Sequence, residues 1–333
     1  MIEIKDIAGL SQPIKKLIEV VAEGIGGVSR PLLTRKNADA KAYEIRTITQ
    51  AIAHSQKLLG QITYDDGSIL IDSSTDIDKP VLPEATVDQR ITARIAYQQF
   101  KKQNNIEQIT RYAAEELYDE KEIKSENPDS DWTTRFFRIA EDITNDQMQI
   151  LWGKVLAGEV KRPGSYSLRT LDVLKNITQQ EAELFVRVGH ISFVSAAKVF
   201  VPDTDQGNYL KERFALHFTD FLLLRQIGLL AESNLEFFFN LADHDMQHPL
   251  ACGSTCIVIK RPKGTPRQGV QVILFTEIGR ELLQLIERKP ADPDYIKRFV
   301  SFFRREGIST QSGIITAWKD DGTVSANLTD IPA

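Results

Sequence analysis

Between residues 131 and 193 the sequence repeats one pattern four times, a polar start signal followed by apolar residues three and four apart. No other stretch constrains the fold as strongly, because a 3.6-residue period lays a continuous apolar face along a helix and not along a strand. In the first copy Ser130 or Asp131 can accept from the free amides of a first turn, and Trp132, Phe136, Ile139, Ala140 and Ile143 share one face. In the second, Thr144 and Gln147 have capping-box spacing ahead of Met148, Leu151, Trp152, Val155 and Leu156. Gly158 frays that helix and Pro163-Gly164 stops it. A third helix opens at Ser165 or Ser167 and buries Leu168, Leu171, Leu174 and Ile177. Thr178 and Glu181 repeat the capping-box spacing before Ala182, Phe185, Val188 and Ile191. The stretch predicts a helical core.

Upstream, residues 9–29 form an amphipathic segment with Ile14, Leu17, Ile18, Val21 and Ile25 on one face, ended by Gly24-Ile25-Gly26-Gly27. Its polar face carries Glu19 and Glu23 beside Lys15 and Lys16, which suits packing against protein better than lying on a membrane. Residues 32–62 are alanine-studded with alternating charges, the pattern of a long helix suited to self-association. Residues 63–86 break that pattern as an acidic loop or linker with a short strand at 68–71, and their aspartates lack calcium-loop spacing. Helices resume at 87–102 and 105–119, and 120–128 connects them to the core.

After residue 193 the texture changes. Strands are expected at 197–201, 229–231 and 235–239, with a helix capped by Thr219 and ended by Gly228. The run CIVIKRPKGTPRQGVQVILF reads as strand, basic loop, strand, and Thr276 and Asp292-Pro293 open two further helices. A last hairpin is expected around Asp321-Gly322. The fold class is mainly α with an α+β C-terminal part: N-terminal helices over 1–62, a linker over 63–86, a helical core domain over 87–193, and a winged-helix-like α+β domain over 194–333.

The run RFF..A.DI....MQ.LWGKVLAGEV..PGSYSLRTL resembles the core of a bacterial domain-of-unknown-function family, and GLSQPIKKLIEVVAEGIG and LFTEIGRELL are similar to that family's opening and closing segments. The layout also resembles the Abi-alpha group linked to abortive infection. That second resemblance implies a role in anti-phage defence and assigns no residue.

Composition excludes little. Net charge is −5, so no global field draws the chain to nucleic acid and a basic site must be local. Two cysteines give no reason to invoke an oxidising compartment, and no apolar run approaches a membrane span; a cytoplasmic location is expected. The motifs GxSxG, P-loop and HExxH are missing, so no catalytic residue is named and no cofactor is expected. Three local clusters stand out. Lys260, Arg261, Lys263 and Arg267 crowd one loop that can lie on a phosphate backbone. His244, His248, Cys252 and Cys256 recur every four residues, a spacing that brings metal ligands together only on a helix, which Pro249 interrupts. Arg162, Ser165, Ser167 and Arg169 surround the Pro163-Gly164 turn as a partner or ligand site, or as helix caps and charge pairs. An acidic group, Glu141, Asp142 and Asp146 with Gln149, reads first as capping and solvated surface. The favoured function is a non-enzymatic binding, regulatory or scaffold protein that self-associates through its N-terminal helices. A nucleic-acid-binding regulator and a hydrolase with an unrecognised site are the alternatives.

Overall fold

The computed structural model describes residues 11–26, 62–65, 68–71, 87–120, 123–195, 198–303, 307–318 and 324–331. Nearly all of the helix expected over 32–62, much of the acidic linker and the Asp321-Gly322 turn lie outside the described residues. The chain divides into two compact units, Met1–Ser165 and Tyr166–Ala333.

The first unit is helical. Helix α1 (Gln12–Ile25) ends on the left-handed Gly26, as its glycine cluster predicts. A short antiparallel pair, β1 (Ile62–Asp65) and β2 (Ser68–Ile71), precedes α2 (Val87–Leu117). Helix α2 is continuous where two helices were expected, because neither Gly nor Pro interrupts residues 102–105 and Asn105 is held inside by its bond to Glu141 O. Helices α3 (Ser130–Ala140) and α4 (Asp146–Lys161) follow. Their caps are Asp129, accepting from Trp132 N at 3.0 Å, and Asn145, accepting from Met148 N at 3.1 Å. The expected caps Ser130 or Asp131 and Thr144 give way to these neighbours, since any adjacent Ser, Thr, Asn or Asp can cap and the chain's approach selects one.

Helix α4 is buried on most of its surface and packs along α2. Gly153 permits the approach: a Cβ there would lie 2.5 Å from Tyr112 Cβ and 3.1 Å from Ala113 N. Trp152 is fully buried against Phe136, ring centroids 5.3 Å apart, and Phe136 stacks on Trp132 at 5.0 Å. Lys16 is buried as well; its Nζ donates to Lys124 O at 2.7 Å and to Glu126 O. The helix face thereby fixes the connector that leads to α3.

The second unit is α+β. It begins with α5 (Leu168–Asn176) and α6 (Gln179–His190), capped by Ser167 and by the Thr178–Glu181 box, both as predicted. The strands are β3 (Phe193–Ser195), β4 (Lys198–Pro202), β5 (Leu235–Phe239), β6 (Met246–Cys252), β7 (Thr255–Arg261), β8 (Gln268–Leu274), β9 (Ser309–Trp318), β10 (Val324–Ala326) and β11 (Thr329–Asp330). The helices are α7 (Asn208–Phe214), α8 (Phe218–Gln226), α9 (Glu277–Leu283) and α10 (Pro293–Ser301). The strands form one antiparallel sheet in the order β10-β9-β7-β6-β3-β4-β8-β5, with β11 beside β9.

The strand, basic loop, strand expected over 256–275 is present, but its two strands do not form a hairpin. Strand β7 turns back tightly from β6, whereas β8 pairs with β4 and β5, so β7 and β8 are not neighbours. The register also shows that the sheet coils. Cys252, Phe193, Phe200 and Leu274 lie in one row, with Arg261 six residues to one side of it and Gln268 six to the other. In a flat sheet these two would be ~40 Å apart along the strands, at ~3.3 Å per residue. The loop that joins them, at ~3.5 Å per residue, cannot reach that far. Coiling brings the ends together.

One face of the sheet carries Phe193, Phe200, Phe237 and Phe239 against Tyr295, Phe299 and Phe303 from α10 and its end; Phe193 and Phe299 are 4.3 Å apart. Tyr295 is buried and donates its hydroxyl to Ile191 O at 3.0 Å. The other face buries Val199, Val201, Cys256, Val258 and Ile273.

Trp152→Ala is expected to destabilise the chain by about 3–5 kcal/mol in urea unfolding. Trp152→Phe should cost clearly less, because the buried indole N–H has no hydrogen-bond partner to lose.

Candidate functional site

The site is the end of the sheet where β5 forms the edge and two six-residue loops, 240–245 and 262–267, meet. Arg261 joins them. Its side chain is 1% exposed, and Nη1 donates to Asn240 O at 2.8 Å while Nη2 donates to Pro266 O at 2.7 Å and Thr265 O at 3.4 Å. The guanidinium also lies over the Phe239 ring, 5.9 Å from its centroid. Backbone bonds complete the clasp: Ala242 N donates to Thr265 O (3.0 Å) and Gly264 N to Ala242 O (2.7 Å). Asp245 Oδ1 accepts from Lys263 N at 2.8 Å. Burial lowers the Arg261 pKa, but a guanidinium starts so high that it stays charged.

The four basic residues read from the sequence are thus not one patch. Arg261 is internal, Lys260 is half-buried, and only Lys263 and Arg267 stand exposed. Arg267 stacks on the Phe238 ring, 3.5 Å from its centroid. The partner loop carries Asp243 and Asp245, and the Asp245 carboxylate is engaged by the Lys263 backbone N–H.

The four histidines and cysteines are also dispersed, because the segment is extended: His248 and Cys252 lie on strand β6, Cys256 on β7, and His244 in the loop before β6. His244 is exposed beside Asp243, with 2.5 Å between them. His248 and Cys252 share a face of β6, where four residues span ~13 Å. Cys256 pairs with Ala251 and so points to the opposite face. Burial pushes the Cys252 thiol up to about 12 and raises Cys256 also, so both are protonated. Among the described residues no three His, Cys, Asp or Glu side chains gather as metal ligands. Pro249 is tolerated in the strand because β3 flanks β6 only at Ala251 and Cys252.

Around the Pro163-Gly164 turn, buried carboxylates do the tying. In the first unit Glu159 Oε1 accepts from Gly164 N at 2.5 Å, and Ser165 Oγ donates to Arg162 O at 2.6 Å. In the second, Glu281 Oε2 accepts from Ser167 N (2.6 Å) and Thr170 Oγ1 (2.5 Å), while Arg169 is exposed. The acidic group is equally structural: Glu141 pairs with Lys102, and Gln149 Nε2 donates to Ile143 O at 2.9 Å.

What sequence reading missed is the edge. Among the described residues strand β5 is paired only with β8, and Leu235 (45% exposed), Phe238 (39%) and, just past its end, Leu241 (62%) are exposed. The signal was the LEFFF run itself, which shows a strand and not its place in a sheet.

The sequence matches the family described as "Protein of unknown function (DUF2806)" over residues 89–300. Nothing among curated proteins and nothing among solved structures matches it. No helix of the described residues is long and apolar enough to cross a membrane.

Arg261→Met should destabilise the second unit by about 2–4 kcal/mol, since the carbonyls of Asn240, Thr265 and Pro266 lose a charged donor at ~1–3 kcal/mol for each bond and removal of the buried charge returns part of it. Trypsin should then cut faster after Lys263 and Arg267. Burial, and then the charge of Arg261 beside it, hold the His248 pKa below the ordinary 6.5. As pH falls below that value the unfolded chain takes up a proton that the folded imidazole refuses, so stability drops with pH. His248→Gln should flatten that slope in denaturation curves measured across the window.

Proposed function

We propose that this chain, which belongs to the DUF2806 family, is a non-enzymatic binding protein of the regulatory or scaffold kind, and that it takes an extended protein segment onto the free edge of β5. The single observation behind this reading is the contrast between the two ends of the sheet. At one end the long strand β9 is covered by the short strands β10 and β11. At the other, among the described residues no strand pairs with β5 on the side away from β8; Leu235, Glu236 and Phe238 are exposed while Phe239 is buried at its end, and the strand has no proline and no lysine to block pairing. Soluble proteins usually blunt such an edge, and strand addition is the recognition mode that uses one left open. The setting we propose is anti-phage defence, on the strength of the sequence resemblance to the Abi-alpha group.

Nucleic acid is the weaker reading. One of the four cations is buried, one is half-buried, and of the two that are exposed Arg267 is stacked on Phe238. The clasp explains the density of basic residues without a phosphate ligand.

Selection of displayed random peptides on the purified chain is expected to enrich β-prone, apolar sequences. Leu235→Lys/Phe238→Lys should weaken the selected peptides by about tenfold or more, ~1.4 kcal/mol. Peptides that bind the variant equally well would refute strand addition. Salt-sensitive binding of DNA or RNA, lost in Lys263→Ala/Arg267→Ala, would put a nucleic-acid function in its place.

A further inference from the structure

We infer that the segment received on β5 is β5 of a second copy of this chain, running antiparallel about a twofold axis through Phe237. The inference rests on the strand-addition reading and names its partner. An isologous contact requires a strand whose pattern complements itself when reversed. Strand β5 meets that requirement. Centred on Phe237, Leu235 lies opposite Phe239 of the second copy and Glu236 opposite Phe238.

The two faces differ, and each matches itself. Leu235, Phe237 and Phe239 occupy the face that carries the aromatic core, as their pairing with Val272, Val270 and Gln268 shows. Glu236 and Phe238 occupy the other, paired with Gln271 and Gly269. There the Glu236 carboxylate lies across Gly269, within 1.9 Å of where a Cβ would stand, so this side of the edge has a low profile. Arg267 is stacked on Phe238, and among the described residues neither Arg267 nor Glu236 has an ion-pair partner.

Symmetric pairing brings each Glu236 against the Phe238 and Arg267 of the other copy. Two identical ion pairs then flank the axis on one face while apolar side chains meet on the other. A foreign strand would need a cation and an apolar residue at matching positions; a second copy supplies both by symmetry. So short an edge, with Phe239 buried at its end, makes a small contact, below the ~1,200 Å² at which specific interfaces become stable, so the dimer should be concentration-dependent.

Sedimentation of the full chain tests this. The wild type should pass from the 37.6 kDa monomer toward twice that mass as concentration rises, and less so at high salt. Leu235→Lys/Phe238→Lys, at exposed positions that leave the fold intact by circular dichroism, should stay monomeric. Glu236→Arg should also be monomeric, because it sets like charges face to face. Glu236→Arg/Arg267→Glu should dimerise again, which no loss of folding can mimic.

A dimer that survives the lysine variant would overturn the inference, as would failure of the charge exchange to restore association. A wild type that remains monomeric but still selects peptides through β5 would remove the second copy and leave strand addition standing. Loss of both would remove both.

Discussion

A buried guanidinium sets the form of the second unit. Arg261 has no carboxylate partner among the described residues; backbone carbonyls of two loops take its place. Each loop must cross from one end of the strand rows to the other, which only a strongly coiled sheet allows. Carbonyl dipoles held by a planar fork of donors can satisfy a buried cation where lysine, with a compact and strongly hydrated head, would fit poorly. From this follow the position of Phe239 inside and Phe238 outside, and the separation of Lys263 and Arg267 from the cation that adjoins them in sequence. The open edge of β5 is held in place by the same contact.

Buried charges play a comparable part elsewhere. Glu159 holds the Gly164 turn in the first unit, Glu281 holds the start of α5 in the second, and Lys16 holds the connector before α3. In each case the charged group meets main-chain N–H or C=O groups that a turn or helix end leaves unpaired. The polar density of PGSYSLRTL, which invited a ligand-site reading, is largely the complement of these bonds. Burial lowers the Lys16 pKa against the pull of Glu19 and Glu126, because taking the ammonium out of water disfavours its charged form.

Much of the helical architecture was legible because its signals are local. The apolar period of α4, the Thr178–Glu181 box, the Thr276 and Asp292 caps and the Gly26 and Gly228 stops each depend on residues within one or two turns. Caps slipped by a residue at Asp129 and Asn145, where neighbouring polar residues compete on nearly equal terms. The candidate sites fared differently. His244, His248, Cys252 and Cys256 keep a four-residue spacing that means convergence on a helix and separation along a strand. The basic loop looked like a hairpin tip because β7 and β8 are consecutive in sequence, although neither pairs with the other.

The sequence by itself determined where helices start and stop, which faces are apolar, and that residues 235–239 form a strand, since propensity, capping and periodicity act over a few residues. Tertiary structure alone decided that this strand is an edge, that Arg261 is internal and that the His and Cys side chains part. Those outcomes depend on pairing between strands distant in the chain, as when Phe193 meets both Phe200 and Cys252. Sheet register is a relation between segments, and no single segment carries it.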